Sequence, residues 1–133
     1  MKLLHRLKRV EIIDQRDVTG SLEAISHCAS IEVLELVRTG VGGELLSLRG
    51  MTQMTMLNLS GSYAVSGNVE DLSSMRKLRT CWLPYKGRPP VCGNIAKLAV
   101  CEELEDVICP EGSVQGVDEL AKTLPACQFN VFD

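Results

Sequence analysis

Apolar residues recur along this chain in one fixed motif. It reads apolar-x-x-apolar-x-x-apolar-x-apolar, then a short polar stretch, then Val-x-Gly and two further apolar positions. The first part is filled in turn by Leu4/Leu7/Val10/Ile12, Cys28/Ile31/Leu34/Leu36, Met51/Met54/Leu57/Leu59, Met75/Leu78/Cys81/Leu83 and Cys101/Leu104/Val107/Cys109. A shortened copy, Ala121/Leu124/Cys127/Phe129, ends the chain. The valines Val18, Val41, Val65, Val91 and Val114 each stand two residues before a glycine, and Gly20, Gly43, Gly67, Gly93 and Gly116 are spaced by 23, 24, 26 and 23 residues.

The alternating apolar-x-apolar piece predicts a short strand with every second side chain turned inward. One unit of this length cannot bury its own hydrophobic face, whereas stacked units form a continuous core. Strands of successive units then pair in parallel at about 4.8 Å, and the residues between the inward ones line up as columns on one broad face. The last unit changes period. Val117, Leu120, Ala121 and Leu124 follow helical spacing, which predicts a helix followed by a strand within residues 124–133.

At these residues the chain resembles the leucine-rich repeat family, in the form L-x-x-L-x-x-L-x-L-x-x-(T/S/Q)-x-V-x-G-x-L-x-x-L. The V-x-G-x-L half is similar to the plant-type class, in which a second small strand follows the glycine. The resemblance implies an α/β repeat solenoid: a parallel strand face, a convex side of short strands or irregular chain, and a helix–strand closing unit. It covers one domain, residues 1–133, with coils at about 4–27, 28–50, 51–74, 75–100 and 101–120 and a closing unit at 121–133. It also implies protein recognition rather than a particular job, because such folds carry many functions. The family's asparagine after the strand is missing. Gln15, Thr39, Ser62, Lys86 and Gly112 stand there instead. Hydroxyls can satisfy nearby backbone groups, whereas Lys86 and Gly112 cannot do so in the same way, so coils four and five should be less regular.

Composition narrows the function. Hydrophobic residues make up 45% of the chain, aromatics only 4%, and the net charge is −3. The core is therefore aliphatic, and nucleic acid is not the expected partner. Lys2, Arg6, Lys8 and Arg9 make the first residues basic, but no apolar run follows them, so a signal peptide is not expected. No stretch approaches the ~20 apolar residues of a membrane span. The expected location is cytoplasmic.

Six cysteines raise the question of bridges or metal. Cys28 and Cys101 share one slot three coils apart, roughly 14 Å at the strand spacing, beyond the ~7 Å limit for a disulfide. Cys81, Cys109 and Cys127 are expected at inward strand slots as small hydrophobes in a reducing compartment. Cys92 alone falls at a variable position. His5 and His27 lack matching ligands at useful spacing, so neither a metal nor a cofactor is expected. Gly43 in residues 40–45 is the repeat glycine rather than part of a phosphate loop, and Asn58 of the Asn-Leu-Ser triplet lies in mid-strand. No nucleophile, base and orienting group converge, so no catalytic residues are assigned.

What remains is the outward strand face. Its middle column is expected to read Glu11, Glu35, Asn58, Trp82, Ile108, Gln128, and the preceding one Arg9, Val33, Met56, Thr80, Asp106, Ala126. With Val33, Val37, Met56, Trp82 and Ile108, this face is more apolar than solvent alone favours. Residues 84–90 lengthen coil four, and Tyr63 should lie near Tyr85. The candidate partner-binding residues are therefore Tyr63, Trp82, Tyr85 and Arg88, flanked by Asn58, Glu35, Met56 and Ile108. The alternative for Trp82 is that it lies flat beneath its own loop, held by Pro84, Pro89 and Pro90. The first coil has no polar cap, which leaves a second expectation open: a structural fragment of a longer array or of a receptor's sensor region, assembling or self-associating through its N-terminal edge.

Overall fold

The computed structural model describes residues 6–132. Two parallel sheets run side by side along a solenoid. The first contains β1 (Arg9–Ile13), β3 (Val33–Val37), β5 (Met56–Asn58), β7 (Thr80–Trp82), β9 (Asp106–Pro110) and β11 (Gln128–Phe132), in that spatial order. The second contains β2 (Thr19–Ser21), β4 (Gly40–Glu44), β6 (Val65–Asn68), β8 (Val91–Asn94) and β10 (Val114–Gln115). Each coil from the first to the fourth closes with a 3-10 turn, at Leu22–Ile25, Leu45–Leu48, Val69–Leu72 and Ile95–Val100. The fifth closes with α1 (Val117–Thr123), so the helix and the final strand stand where the sequence places them.

The inward columns are the predicted ones from coil two through coil five. In coil one Leu7, Val10 and Ile12 pack against the core, while Leu4 and His5 lie outside the described residues. Leu34, Leu57, Cys81 and Val107 are neighbours in register, as are Val10 and Leu34. Behind them Ile31, Met54 and Leu78 are fully buried, as are Leu45, Val69 and Ile95 from the 3-10 turns. One core runs unbroken from Leu22 to Cys127. Burial of this kind stabilises by about 1.5–3 kcal/mol per large aliphatic side chain relative to exposure.

At Gly43, Gly93 and Gly116 the glycine of Val-x-Gly does more than bend the chain. Asn68 caps the turn after β6 by accepting from Glu70 N at 2.8 Å, and its side chain then lies against Gly93 of the next coil. A Cβ on Gly93 would stand 2.1 Å from Asn68 Oδ1, and its φ of +110° is one that L residues rarely adopt. Gly93 is thus the floor on which the previous coil's cap rests, as Gly116 is for Asn94 and Gly43 for Ser21.

Hydroxyls replace the missing asparagine. Ser62 Oγ donates to Leu36 O at 2.7 Å and accepts from Thr39 N at 3.1 Å, while the two hydroxyls lie 2.9 Å apart. Thr39 Oγ1 accepts in turn from Val41 N at 3.2 Å. In coil five Ser113, next to Gly112, donates to Val91 O at 2.7 Å. Irregularity is concentrated in coil four, where residues 84–90 form the long connection between β7 and β8, with a cis bond between Arg88 and Pro89.

Two expectations need correction. Phe129 pairs with Val107 and Val131 with Cys109, so the last unit is displaced by two residues from the expected register. Cys127 N binds Leu124 O as Leu104 N binds Cys101 O, which makes Cys127 the counterpart of Leu104 rather than a strand residue. The chain then reaches the strand one residue sooner than in the other coils. Consequently Asn130, not Gln128, ends the middle outward column, and Gln128, not Ala126, ends its neighbour. Val37 also differs from expectation: it is buried and contributes nothing to the outward face.

Candidate functional site

The eight candidate residues separate into two surfaces. Glu35, Met56, Asn58, Trp82 and Ile108 lie on β3, β5, β7 and β9 in the outward columns, with Glu35 beside Asn58, Asn58 beside Trp82 and Trp82 beside Ile108. Tyr63, Tyr85 and Arg88 line a separate groove where the chain leaves the strands. Trp82 does not line that groove, although only two residues separate it from Tyr85. Buried Pro84 sits between them at the corner where the backbone changes direction.

On the strand face, Asn58 is already engaged. Its Oδ1 accepts from Ser60 N at 3.1 Å, its Nδ2 donates to Glu35 Oε2 at 3.4 Å, and it is only 6% exposed. It shapes the strand end and orients Glu35. Met56, Trp82 and Ile108 are half-buried, so each keeps part of an apolar surface open. The Trp82 indole N–H is buried without a hydrogen-bond partner among the described residues, as is Asp106 Oδ1 on the neighbouring strand. An unpaired buried donor and acceptor on adjacent strands leave polar capacity unused at this end of the face.

The groove is the more elaborate of the two. Its volume is about 770 Å³, and Tyr63, Tyr85, Lys86, Arg88, Pro90 and Glu111 are among its lining residues. Tyr63 and Tyr85 meet edge to face, centroids 6.0 Å apart at 76°. Phe132 packs behind Tyr85 at 5.2 Å. Arg16 lies over the Tyr63 ring at 5.8 Å and donates to Gly61 O at 2.7 Å, while Lys86 lies over Tyr85 at 5.8 Å. These cation–π contacts hold both rings in place. The Tyr63 phenol is held above its ordinary pKa, first by the neighbouring Tyr85 hydroxyl and then by burial, with Arg16 opposing. It therefore stays protonated at neutral pH and acts as a neutral hydrogen-bonding group.

Arg16, Phe132 and Glu111 escape the sequence reading. Phe132 becomes visible only once the last unit's register is corrected, since it stands opposite Pro110. Arg16 reaches the groove across the stacked corners of coils one to three, a contact no local pattern signals. Among the described residues, no three His, Cys, Asp or Glu side chains are grouped to hold a metal ion. No described helix is long and apolar enough to cross a membrane.

Stacked coils of this length, with a parallel strand face and a 3-10 turn closing most of them, define a leucine-rich repeat fold. In agreement, the chain is similar to a solved leucine-rich repeat protein of Leptospira interrogans, at 11% identity over 97% of this chain with a TM-score of 0.51. The match spans 38% of that protein's length. No protein-family model and no curated protein matches the sequence.

Proposed function

We propose that this chain is a non-catalytic protein–protein recognition module, an adaptor or complex subunit of plant-type repeat class working in the reducing cytoplasm. The observation that carries this reading is the groove, in which two tyrosines are propped from behind by Phe132, Arg16 and Lys86. Aromatic and arginine side chains held rigid on a preformed surface are the typical anchors of protein interfaces, and little reorganisation is lost on binding. The half-buried apolar side chains of the strand face provide the second contact area. Five buried cysteines and one exposed one support a reducing compartment.

The test uses the chain as bait, identifies the partner and measures its Kd with purified components. Tyr85→Ala, Arg88→Ala and Trp82→Ala are compared with Arg49→Ala on the 3-10 side. A loss of tenfold or more for Tyr85→Ala or Trp82→Ala is expected, with Arg49→Ala unchanged. Equal binding by all four variants overturns the reading.

One observation favours a second reading, assembly through the first coil. Val10, Ile12, Val18 and Ile25 are only partly buried, and with Leu22, Leu36 and Val41 they line an apolar cavity of about 180 Å³ at the first coil. Solution mass measured across a hundredfold concentration range decides it. A concentration-dependent dimer abolished by Ile12→Asp supports this reading, and a monomer throughout rejects it.

A further inference from the structure

We propose that the tyrosine groove accepts an extended acidic segment of the partner, with an apolar side chain against Tyr63 and Tyr85 and carboxylates toward Lys86 and Arg88. This rests on the recognition role argued above and specifies the chemistry of its ligand. The charges are the first support. Lys86 and Arg88 line the groove and Arg16 stands over the Tyr63 ring at its margin, while Glu111 is the one carboxylate among the described lining residues, in a chain whose net charge is −3. Neither Lys86 nor Arg88 enters an ion pair among the described residues; most other described cations share this, and what sets these two apart is their place on an aromatic groove. Cations left uncompensated beside an apolar cleft attract carboxylates and repel basic segments.

The groove walls are the second support. Pro90 and Pro110 lack an amide hydrogen, and the groove lies beside a loop rather than along an open strand edge. A ligand there is held by side chains and not by an added strand. The volume of about 770 Å³ falls within the ~300–1,000 Å³ typical of ligand clefts. A proline-rich segment would fit the aromatic surface but would leave Lys86 and Arg88 without counter-charge. Among the described lining residues Glu111 is the one that opposes an acidic ligand, and it supplies a distinctive sign.

The experiment selects random displayed dodecapeptides on the wild-type chain, with counter-selection on a Lys86→Glu/Arg88→Glu variant. The expected consensus carries two or more Asp or Glu residues around Leu, Phe or Trp. A fluorescent peptide of that consensus should bind at least tenfold more weakly to Arg88→Glu and about threefold more tightly to Glu111→Gln. It should weaken as NaCl rises from 50 to 300 mM. Arg88→Gln repeats the comparison without charge reversal if the double variant melts early. A proline-rich or basic consensus, peptides bound equally by wild type and variant, or no selected peptide each overturns the proposal. The wider recognition role is judged separately, by the Tyr85→Ala loss against the whole partner.

Discussion

At the scale of single residues, the hydroxyl pair of coils two and three does the work usually given to an amide side chain. Ser62 is fully buried and serves Leu36 O, Thr39 N and the Thr39 hydroxyl at once. Ser62→Ala strands these groups away from water and should cost about 1–3 kcal/mol, read from urea denaturation. Thr39→Ser, which keeps the hydroxyl, should cost clearly less. The cysteines divide by environment. Cys92 is exposed, with its thiol 3.6 Å from Gly67 O, while the other five are buried. One thiol should therefore react with a maleimide in the native protein and six in urea, counted by mass spectrometry. Burial pushes Cys101, Cys109 and Cys127 up to about 11 and Cys81 higher still. An unfolded chain loses these protons near pH 8.5 to 9, so between about pH 9 and 11 the folded state binds more protons. Stability contributed by the protonated thiols is complete below that window and falls through it as pH rises. The urea midpoint should decline over this range, with a shallower slope in Cys109→Ala.

At the scale of elements, Gly93 and the preceding Asn68 cap form one joint. Gly93→Ala would push a methyl group into the Asn68 carboxamide at a φ of +110°, and should destabilise by about 1–3 kcal/mol. Gly112→Ala is the control. Its φ is +84°, but nothing stands within 4 Å of the added carbon, so only the backbone term remains and the loss should be nearer 1 kcal/mol. The strands of the first five coils are legible from sequence because the three-three-two spacing of apolar residues admits one register. The closing unit is ambiguous in the same terms. Ala121/Leu124/Cys127/Phe129 matches the spacing, yet the backbone uses Leu124, Cys127, Phe129 and Val131 with one residue fewer before the strand. The candidate site is half legible. Tyr63 and Tyr85 are neighbours because corners of adjacent coils stack, which the period foretells. Trp82 stands apart from them because the chain turns at Pro84, and a linear spacing does not show on which side of a corner a ring ends.

For the molecule as a whole, stability is shared along one core rather than held in separate units. Leu57, fully buried in the central coil, touches this continuity from both sides. Leu57→Ala should cost about 2–5 kcal/mol. Denaturation followed by Trp82 fluorescence and by far-ultraviolet circular dichroism should still coincide in one transition, since no coil has a core of its own. Coil four shows what this continuity tolerates. The glycines Gly67 and Gly93 are 26 residues apart, against 23 or 24 in neighbouring coils, yet Trp82 remains opposite Ile108 and Gly67 opposite Val91. None of the backbone groups of residues 84–90 enters a described hydrogen bond. Chain length and helical pitch are therefore uncoupled at this point. A peptide inserted at Gly87 should leave the ladder on either side with its count while disrupting the groove that Gly87 lines, which separates folding from recognition in one variant.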